Sequence, residues 1–307
     1  MSHPYVIVWV CTTQAHCIVI IRGTMKTPKH VHKFRQSFLN DMWKCPEYGR
    51  RKHAGLIDEQ NNSDFVRGNS VHNSIEAFGL EWMHTDTQMP LDTVLELGQR
   101  CFDEESAVAD TKWRNKPEVV LEQVNQRLNV WYEKVLPLLQ RPSSVEQSFK
   151  ILAYEDDVRQ IFMTGTADWI EGEAGDPHAR IIDWKNPSQK PRDEWMYRRS
   201  NLQSIVYTWA TGIDRFMLCH LTNGDEPHWI EMGRNAREHQ ALMDMVVGLA
   251  VTLEANLPAL PQQWDSWFCA EQWCPAWSDC RGKYITEDIK DLGQPILTIS
   301  EREEVSV

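Results

Sequence analysis

The chain has 307 residues, 42% hydrophobic and 25% charged, with a formal net charge of −12. That length holds one large domain or two modest ones around a core of useful size. The acidic balance excludes a polycationic coat for nucleic acid, since Lys and Arg drive phosphate binding, and no apolar run approaches the length of a membrane span. It leaves room for an enzyme that gathers carboxylates around a divalent cation and keeps a local basic track. Lys26, Lys29, Lys33, Arg35, Lys44, Arg50, Arg51 and Lys52 are candidates for that track. On charge alone, a solvated surface is the simpler reading.

Residues 1–24 hold two short β-branched runs, Tyr5 to Val10 and Cys17 to Ile21, split by Thr12, Thr13 and Gln14. Either they form a hairpin or Met25 is the true start and they are an extension. No basic segment precedes them as in a secretory signal, so a cytoplasmic location is expected. Ser37 to Lys44 reads as a short helix with Ser37 as N-cap, ended by Cys45-Pro46. A helix starting near Val71 follows a turn at Gly68-Asn69-Ser70, and 91–110 is helical. Pro117 opens a clearer helix, with Val120, Val124, Leu128, Trp131 and Val135 on one face. From Val145 to Trp184 the pattern is that of strands, broken at Gly172 and at Gly175-Asp176-Pro177. Asp193 to Ala210 returns to helix, Phe216–Leu221 and His228–Met232 read as a hairpin around Asn223-Gly224, and Asn235 with Glu238 forms a capping box. Leu242, Val246, Leu249 and Leu253 make the stripe of the helix behind it. Pro258 and Pro261 lead into a cysteine segment, and 284–307 is a polar, acidic tail. These elements describe an α/β core with a helical insertion at about 80–140.

Two short segments carry chemistry. Gly165-Thr166-Ala167-Asp168 is followed by Ile181-Ile182-Asp183-Trp184-Lys185. Asp183 and Lys185 are two apart on a strand and share a face. Carboxylates on adjacent strands can hold Mg²⁺, a hard ion that prefers oxygen, and the Trp184 carbonyl offers a further oxygen. A lysine beside them can orient water or offset charge on a phosphate. Alone, Asp-x-Lys is more often an ordinary surface pair. Here it stands in a series: His72 upstream, then Asp168, Asp183 and Lys185, then Gln203 and Tyr207 at i and i+4 of one helix.

Eight cysteines include an early Cys45 and a late cluster of Cys269, Cys274 and Cys280, with Cys11, Cys17, Cys101 and Cys219 read as ordinary thiols. The clustered three read as metal ligands rather than disulfides. Zn²⁺ is one occupant. It more often uses two Cys-x-x-Cys pairs, which this chain lacks.

The ordered series resembles the RecB-like branch of the PD-(D/E)XK nucleases, including CRISPR-associated RecB-like exonucleases and similar phage proteins, over about residues 34–283. The resemblance implies a restriction-endonuclease-like core, a small mixed central sheet flanked by helices, within one nuclease domain at 25–283. It implies that His72, Asp168 and Asp183 bind Mg²⁺ or Mn²⁺, with Glu146 as a less secure acidic match. Lys185 is then catalytic, with Gln203 and Tyr207 supporting it. It also implies that Cys45, Cys269, Cys274 and Cys280, the last three within 267–281, hold a [4Fe–4S] cluster. The four residues between Cys269 and Cys274 depart from the family's usual two. The activity implied is a metal-dependent DNA exonuclease on single-stranded ends, in phage or bacterial recombination, replication or repair, in the host cytoplasm if phage-encoded. Its expected partners are DNA and recombination or replication proteins, with no membrane. The reading set against it is a noncatalytic DNA-binding or recombination-partner protein with a structural Fe–S or Zn site.

Overall fold

A computed structural model describes residues 30–57, 61–108 and 110–284, together with a two-residue ladder of β1 (Cys11–Thr12) and β2 (His16–Cys17). The remaining residues of the 1–24 segment and the tail beyond Tyr284 lie outside the described residues. A mixed sheet forms the centre: β3 (His30–Arg35), β4 (Ser144–Glu155), β5 (Arg159–Glu171), β6 (Arg180–Lys185), β7 (Arg215–His220) and β8 (His228–Gly233). β5 is the hub. β4 runs antiparallel along one edge. On the other edge, β3 pairs in parallel with Arg159–Thr164 and β6 pairs antiparallel with Trp169–Glu171. Residues 165–168 lie between those two ladders without a ladder partner on that edge, and Asp168 is the last of them.

Helices cover both faces. One layer is α3 (Ser63–Thr85), α4 (Leu91–Ser106) and α5 (Pro117–Val130), continued by a π turn at Trp131–Val135. Its core joins Val66, Ile75, Phe78, Val124, Leu128 and Trp131 to Trp169, Ile182 and Trp184 of the sheet. The other layer contains α1 (Gln36–Lys44), α7 (Leu202–Thr211) and α8 (Ala236–Glu254), with Phe34, Phe38, Leu39, Ile161, Met163, Ile181, Val206, Phe216 and Leu242 in its core. A parallel pair such as β6 and β7 needs a crossover, and α6 (Glu194–Ser200) with α7 supplies it. No described helix is long and apolar enough to cross a membrane.

Several elements depart from the sequence reading. Gly68-Asn69-Ser70 is no turn: α3 runs through it from an N-cap at Asn62, whose side chain accepts from the Asp64 and Phe65 amides. α1 begins at Gln36, and Arg35, not Ser37, is its N-cap position; the helix ends at Lys44, before Cys45-Pro46 as expected, and Pro46 opens α2 (Pro46–His53). α4 stops at Ser106. The expected helix over 193–210 is two helices, because Asn201 leaves helical geometry (ψ 96°) and caps α7 by accepting from the Ser204 amide. The β7–β8 pairing and the Asn235–Glu238 capping box are as expected. The basic track is largely neutralised. Arg50 and Arg51 bind Glu47, and Lys44 and Lys52 pair with Asp41, leaving Lys33 and Arg35 exposed; Lys26 and Lys29 lie outside the described residues.

Two glycines of α3 separate backbone propensity from packing. A Cβ on Gly79 would meet Trp169 at 2.6 Å and Val145 at 2.8 Å, whereas one on Gly68 meets nothing within 4 Å. Alanine is worth up to about 1 kcal/mol over glycine inside a helix, and overpacking costs about 1–3 kcal/mol. Gly68→Ala is therefore expected to raise stability by about 0.5–1 kcal/mol in urea unfolding. Gly79→Ala is expected to lower it despite the same gain in propensity.

Candidate active site

The β4–β5 ladder skips one pair. Val145 faces Trp169 and Gln147 faces Ala167, but Glu146 and Asp168 between them are not ladder partners, and Glu146 has φ +48°. Strand alternation would put residues 167 and 169 on the same face. Instead Ala167 packs in one core and Trp169 in the opposite one. A left-handed non-glycine residue costs about 1–2 kcal/mol, so the surrounding packing must hold Glu146 there. The break leaves both carboxylates beside His72 of α3. His72 Nε2 lies 2.8 Å from Asp168 Oδ2, and Nδ1 lies 3.6 Å from Glu146 Oε1. One ligand atom from each of the three falls within 4.8 Å of the other two. Asp168 Oδ2 also accepts from the Trp184 amide at 2.9 Å, which ties the open stretch of β5 to β6.

Asp183, 1% exposed, lies one register step beyond the β5–β6 ladder. Lys185 Nζ is 2.5 Å from its Oδ2, and the Gln203 amide donates to its Oδ1. Gln203 is also hydrogen-bonded to Tyr207, one turn on along α7, whose ring packs edge-on to Phe149 and Phe216. The six residues of the sequence series thus converge from α3, β5, β6 and α7, with Glu146 of β4 beside them. Asp183 is not in the compact His72–Glu146–Asp168 group; its oxygens face Lys185 and Gln203.

The electrostatics follow from crowding carboxylates out of water. Burial pushes Glu146 up to about 7; His72 opposes this and the Asp168 charge adds to it. Burial and the Asp168 charge also raise Asp183, against the pull of Lys185. His72 loses by burial, but the hydrogen bond to Asp168 and the surrounding carboxylates raise it to about 9. Lys185 is shifted upward, because Asp183 and Asp168 outweigh its desolvation. Burial, with Asp183 adding, lifts Tyr207 to about 12. Glu146 Oε1 is buried without a hydrogen-bond donor, and Asp183 Oδ2 faces the Lys185 ammonium. Crowded acidic oxygens beside one imidazole suit a hard divalent cation.

Residues the sequence reading passed over frame this centre. His220 of β7 is the register partner of Lys185 and is 2% exposed. Arg67 and Arg127, both buried, donate to the Asn186 carbonyl (3.3 Å) and the Pro187 carbonyl (3.5 Å), just past Lys185. Buried arginines in a helical pattern were the available signal.

At the far end of the other layer, Cys45, Cys269, Cys274 and Cys280 line one pocket with Tyr48, Phe268 and Trp277. Glu47, fully buried, anchors it: it accepts from Arg50, Arg51 and the Leu260 amide (2.8 Å). Burial opposes its charge, yet these hydrogen bonds and the Arg50 charge hold it at about 2. Cys219 is buried in β7 and its thiol is pushed up by desolvation.

A depressed carboxylate stabilises the fold above its unfolded pKa, and that contribution is lost as pH falls through the folded value. For Glu47 the window runs from about 4.5 down to about 2. Glu47→Gln is expected to cost about 3 kcal/mol at pH 7 by that shift. The difference from wild type should shrink as denaturation is repeated towards pH 3, and a pH-independent difference would show that packing, not charge, sets the cost.

Residues 36–281 match the model of the PD-(D/E)XK nuclease superfamily. No curated protein sequence matches. Among solved structures, a candidate exonuclease from Eubacterium rectale is 12% identical with a TM-score of 0.49, over 89% of this chain and 94% of that one. A protein named SSO0001 is 14% identical with a TM-score of 0.36, over 77% and 93%. The family match spans most of the chain, and the mixed sheet flanked by helices is consistent with a restriction-endonuclease-like core: the chain belongs to the PD-(D/E)XK nuclease superfamily.

Proposed function

We propose that the chain is a Mg²⁺- or Mn²⁺-dependent DNA exonuclease acting on single-stranded ends, in recombination, replication or repair in bacteria or phage. The observation that carries this reading is the meeting of the Asp183–Lys185 pair, whose carboxylate is buried, with the His72–Glu146–Asp168 group, in which Glu146 Oε1 is buried without a hydrogen-bond donor. Asp168, Asp183 and His72 would hold the cation, with Glu146 as a further oxygen ligand. Bound there, it would supply Lewis-acid stabilisation of charge on the scissile phosphate and a more acidic water. Lys185, paired with Asp183, would orient the attacking water or help deprotonate it, and would offset charge on the phosphate. Gln203 fixes the Asp183 carboxylate by donating to Oδ1, and Tyr207 fixes Gln203.

We also infer that the four cysteines hold a [4Fe–4S] cluster joining the two ends of the domain. The four cysteines line one pocket, and the chain lacks the two Cys-x-x-Cys pairs that zinc more often uses, which favours the cluster. Trp277 and Phe268 in the same pocket would shield it from water.

The test uses anaerobically purified protein on end-labelled single-stranded DNA with Mg²⁺, Mn²⁺ or EDTA. Cleavage should need the cation and fall at least about 100-fold in Lys185→Gln, in line with loss of one preorganised donor; the glutamine avoids stranding Asp183 beside an apolar side chain. Cleavage undiminished in that variant at matched folding would sink the mechanism. No cleavage by wild type with intact DNA binding would leave the noncatalytic binding protein. Iron with acid-labile sulfide is expected in the purified protein, and stoichiometric zinc without iron would remove the cluster.

A further inference from the structure

Beyond Lys185 the chain forms a cleft of about 350 Å³, within the usual range of small-ligand sites, about 300–1,000 Å³. Its lining is mixed: Lys185, the side-chain amides of Asn186 and Gln189, two prolines, the ring of Tyr197 and the imidazole of His220. Two of these present an unmet hydrogen-bonding need. His220 Nδ1 and Asn186 Oδ1 are both buried without a partner, although native structures pair nearly all such atoms. His220 is flanked by rings on two sides, Tyr197 edge-on at 5.6 Å and His228 stacked at 6.0 Å. Arg67 and Arg127 hold the backbone of Asn186 and Pro187 from behind, so this wall of the cleft is preformed.

The cleft opens from the catalytic centre. Lys185 belongs to both, pairing with Asp183 and lining the cleft, and Tyr197 feels the charges of Lys185 and Asp183. An apolar and aromatic lining with amide and imidazole groups next to a phosphate-facing lysine matches a nucleoside: a flat π face, a polar edge and a sugar. An acidic or aliphatic ligand would leave the ring or the polar atoms unused.

We propose that this cleft is a subsite for the single nucleoside adjoining the scissile phosphate, its base unstacked from its neighbour and set against Tyr197, and its polar edge or sugar hydrogen-bonded by His220 and Asn186. This rests on the nuclease reading and adds to it a cause for strand selection. A base inside a duplex is paired and stacked on both sides and cannot enter, so the subsite selects strands whose terminal base is free. His220 and Tyr197 act as positioning residues: they touch the substrate away from the reacting atoms and set where the phosphate lies relative to Lys185.

The experiment uses the full-length protein on single-stranded oligonucleotides with one abasic (tetrahydrofuran) residue placed in turn on each side of a chosen linkage. Stacking of a base on an aromatic side chain is worth about 1–3 kcal/mol, so an abasic residue on one side should slow cleavage of that linkage by about tenfold or more. The same residue on the other side should have a smaller effect. In His220→Gln the ratio of natural to abasic rates should fall below about threefold. Gln189→Ala, on an exposed part of the loop, gives the same readout with a smaller drop if the histidine variant does not fold. Equal wild-type rates on natural and abasic linkages would overturn the subsite while leaving the nuclease intact. If wild type cleaves nothing, 2-aminopurine at the strand end, read in Ca²⁺ with wild type and His220→Gln, decides separately. A fluorescence change that depends on His220 supports the subsite and removes only the catalytic reading, whereas no such dependence overturns the subsite.

Discussion

One missing rung in the β4–β5 ladder governs the arrangement of the whole site. At Glu146 and Asp168 the two strands change phase together, and Glu146 takes a left-handed conformation that a side chain tolerates only under constraint. The constraint comes from both cores at once. Ala167 is packed on one face and Trp169 on the other, so neither strand can slip back without exposing a buried side chain. The outcome is a gap in the sheet, between the β3 and β6 ladders, where carboxylates from two strands and an imidazole from α3 meet.

Such a site is costly in isolation, because buried carboxylates repel and lose hydration. The fold offsets this by pairing, not by exposure. His72 answers Asp168, Lys185 and Gln203 answer Asp183, and the Trp184 amide answers Asp168 from the backbone. Glu146 Oε1 remains without a donor. A centre that is nearly but not fully satisfied by its own chain is poised for a cation, and the residual strain is kept where chemistry can use it.

The second centre depends on a different kind of constraint. Cys45 is more than 220 residues from the other three cysteines, and bringing them together costs loop-closure entropy that grows only slowly with length. Glu47 does much of the local work, joining Arg50 and Arg51 of α2 to the Leu260 amide of the returning chain. The exposed Trp264, Trp267 and Trp273 of this segment contrast with Trp131 and Trp169 in the core, so the tryptophan-rich composition serves two different environments.

Periodicity and capping chemistry made much of the fold legible in the chain itself. Pro117 starting α5, the stripe of Val120, Val124 and Leu128, the Asn235–Glu238 box and the β7–β8 hairpin all depend on neighbours a few residues apart. The order of His72, Asp168, Asp183, Lys185, Gln203 and Tyr207 was legible too, because strand and helix periods place i, i+2 and i, i+4 residues on one face. Where the sequence misled, a local signal lost to packing: Gly68-Asn69-Ser70 reads as a turn, yet Val66, Val71 and Ile75 are buried together and keep α3 continuous. What only the tertiary structure decided lies in contacts between distant segments. The sequence could not show that Glu146 leaves its ladder, that His220 stands beside Lys185, that Arg67 and Arg127 hold the backbone after it, or that Asp41 and Glu47 neutralise the basic run. Local spacing determines which side chains share a face; which faces meet, and which polar atoms are left without partners, is determined by sheet register and by the two cores that hold it.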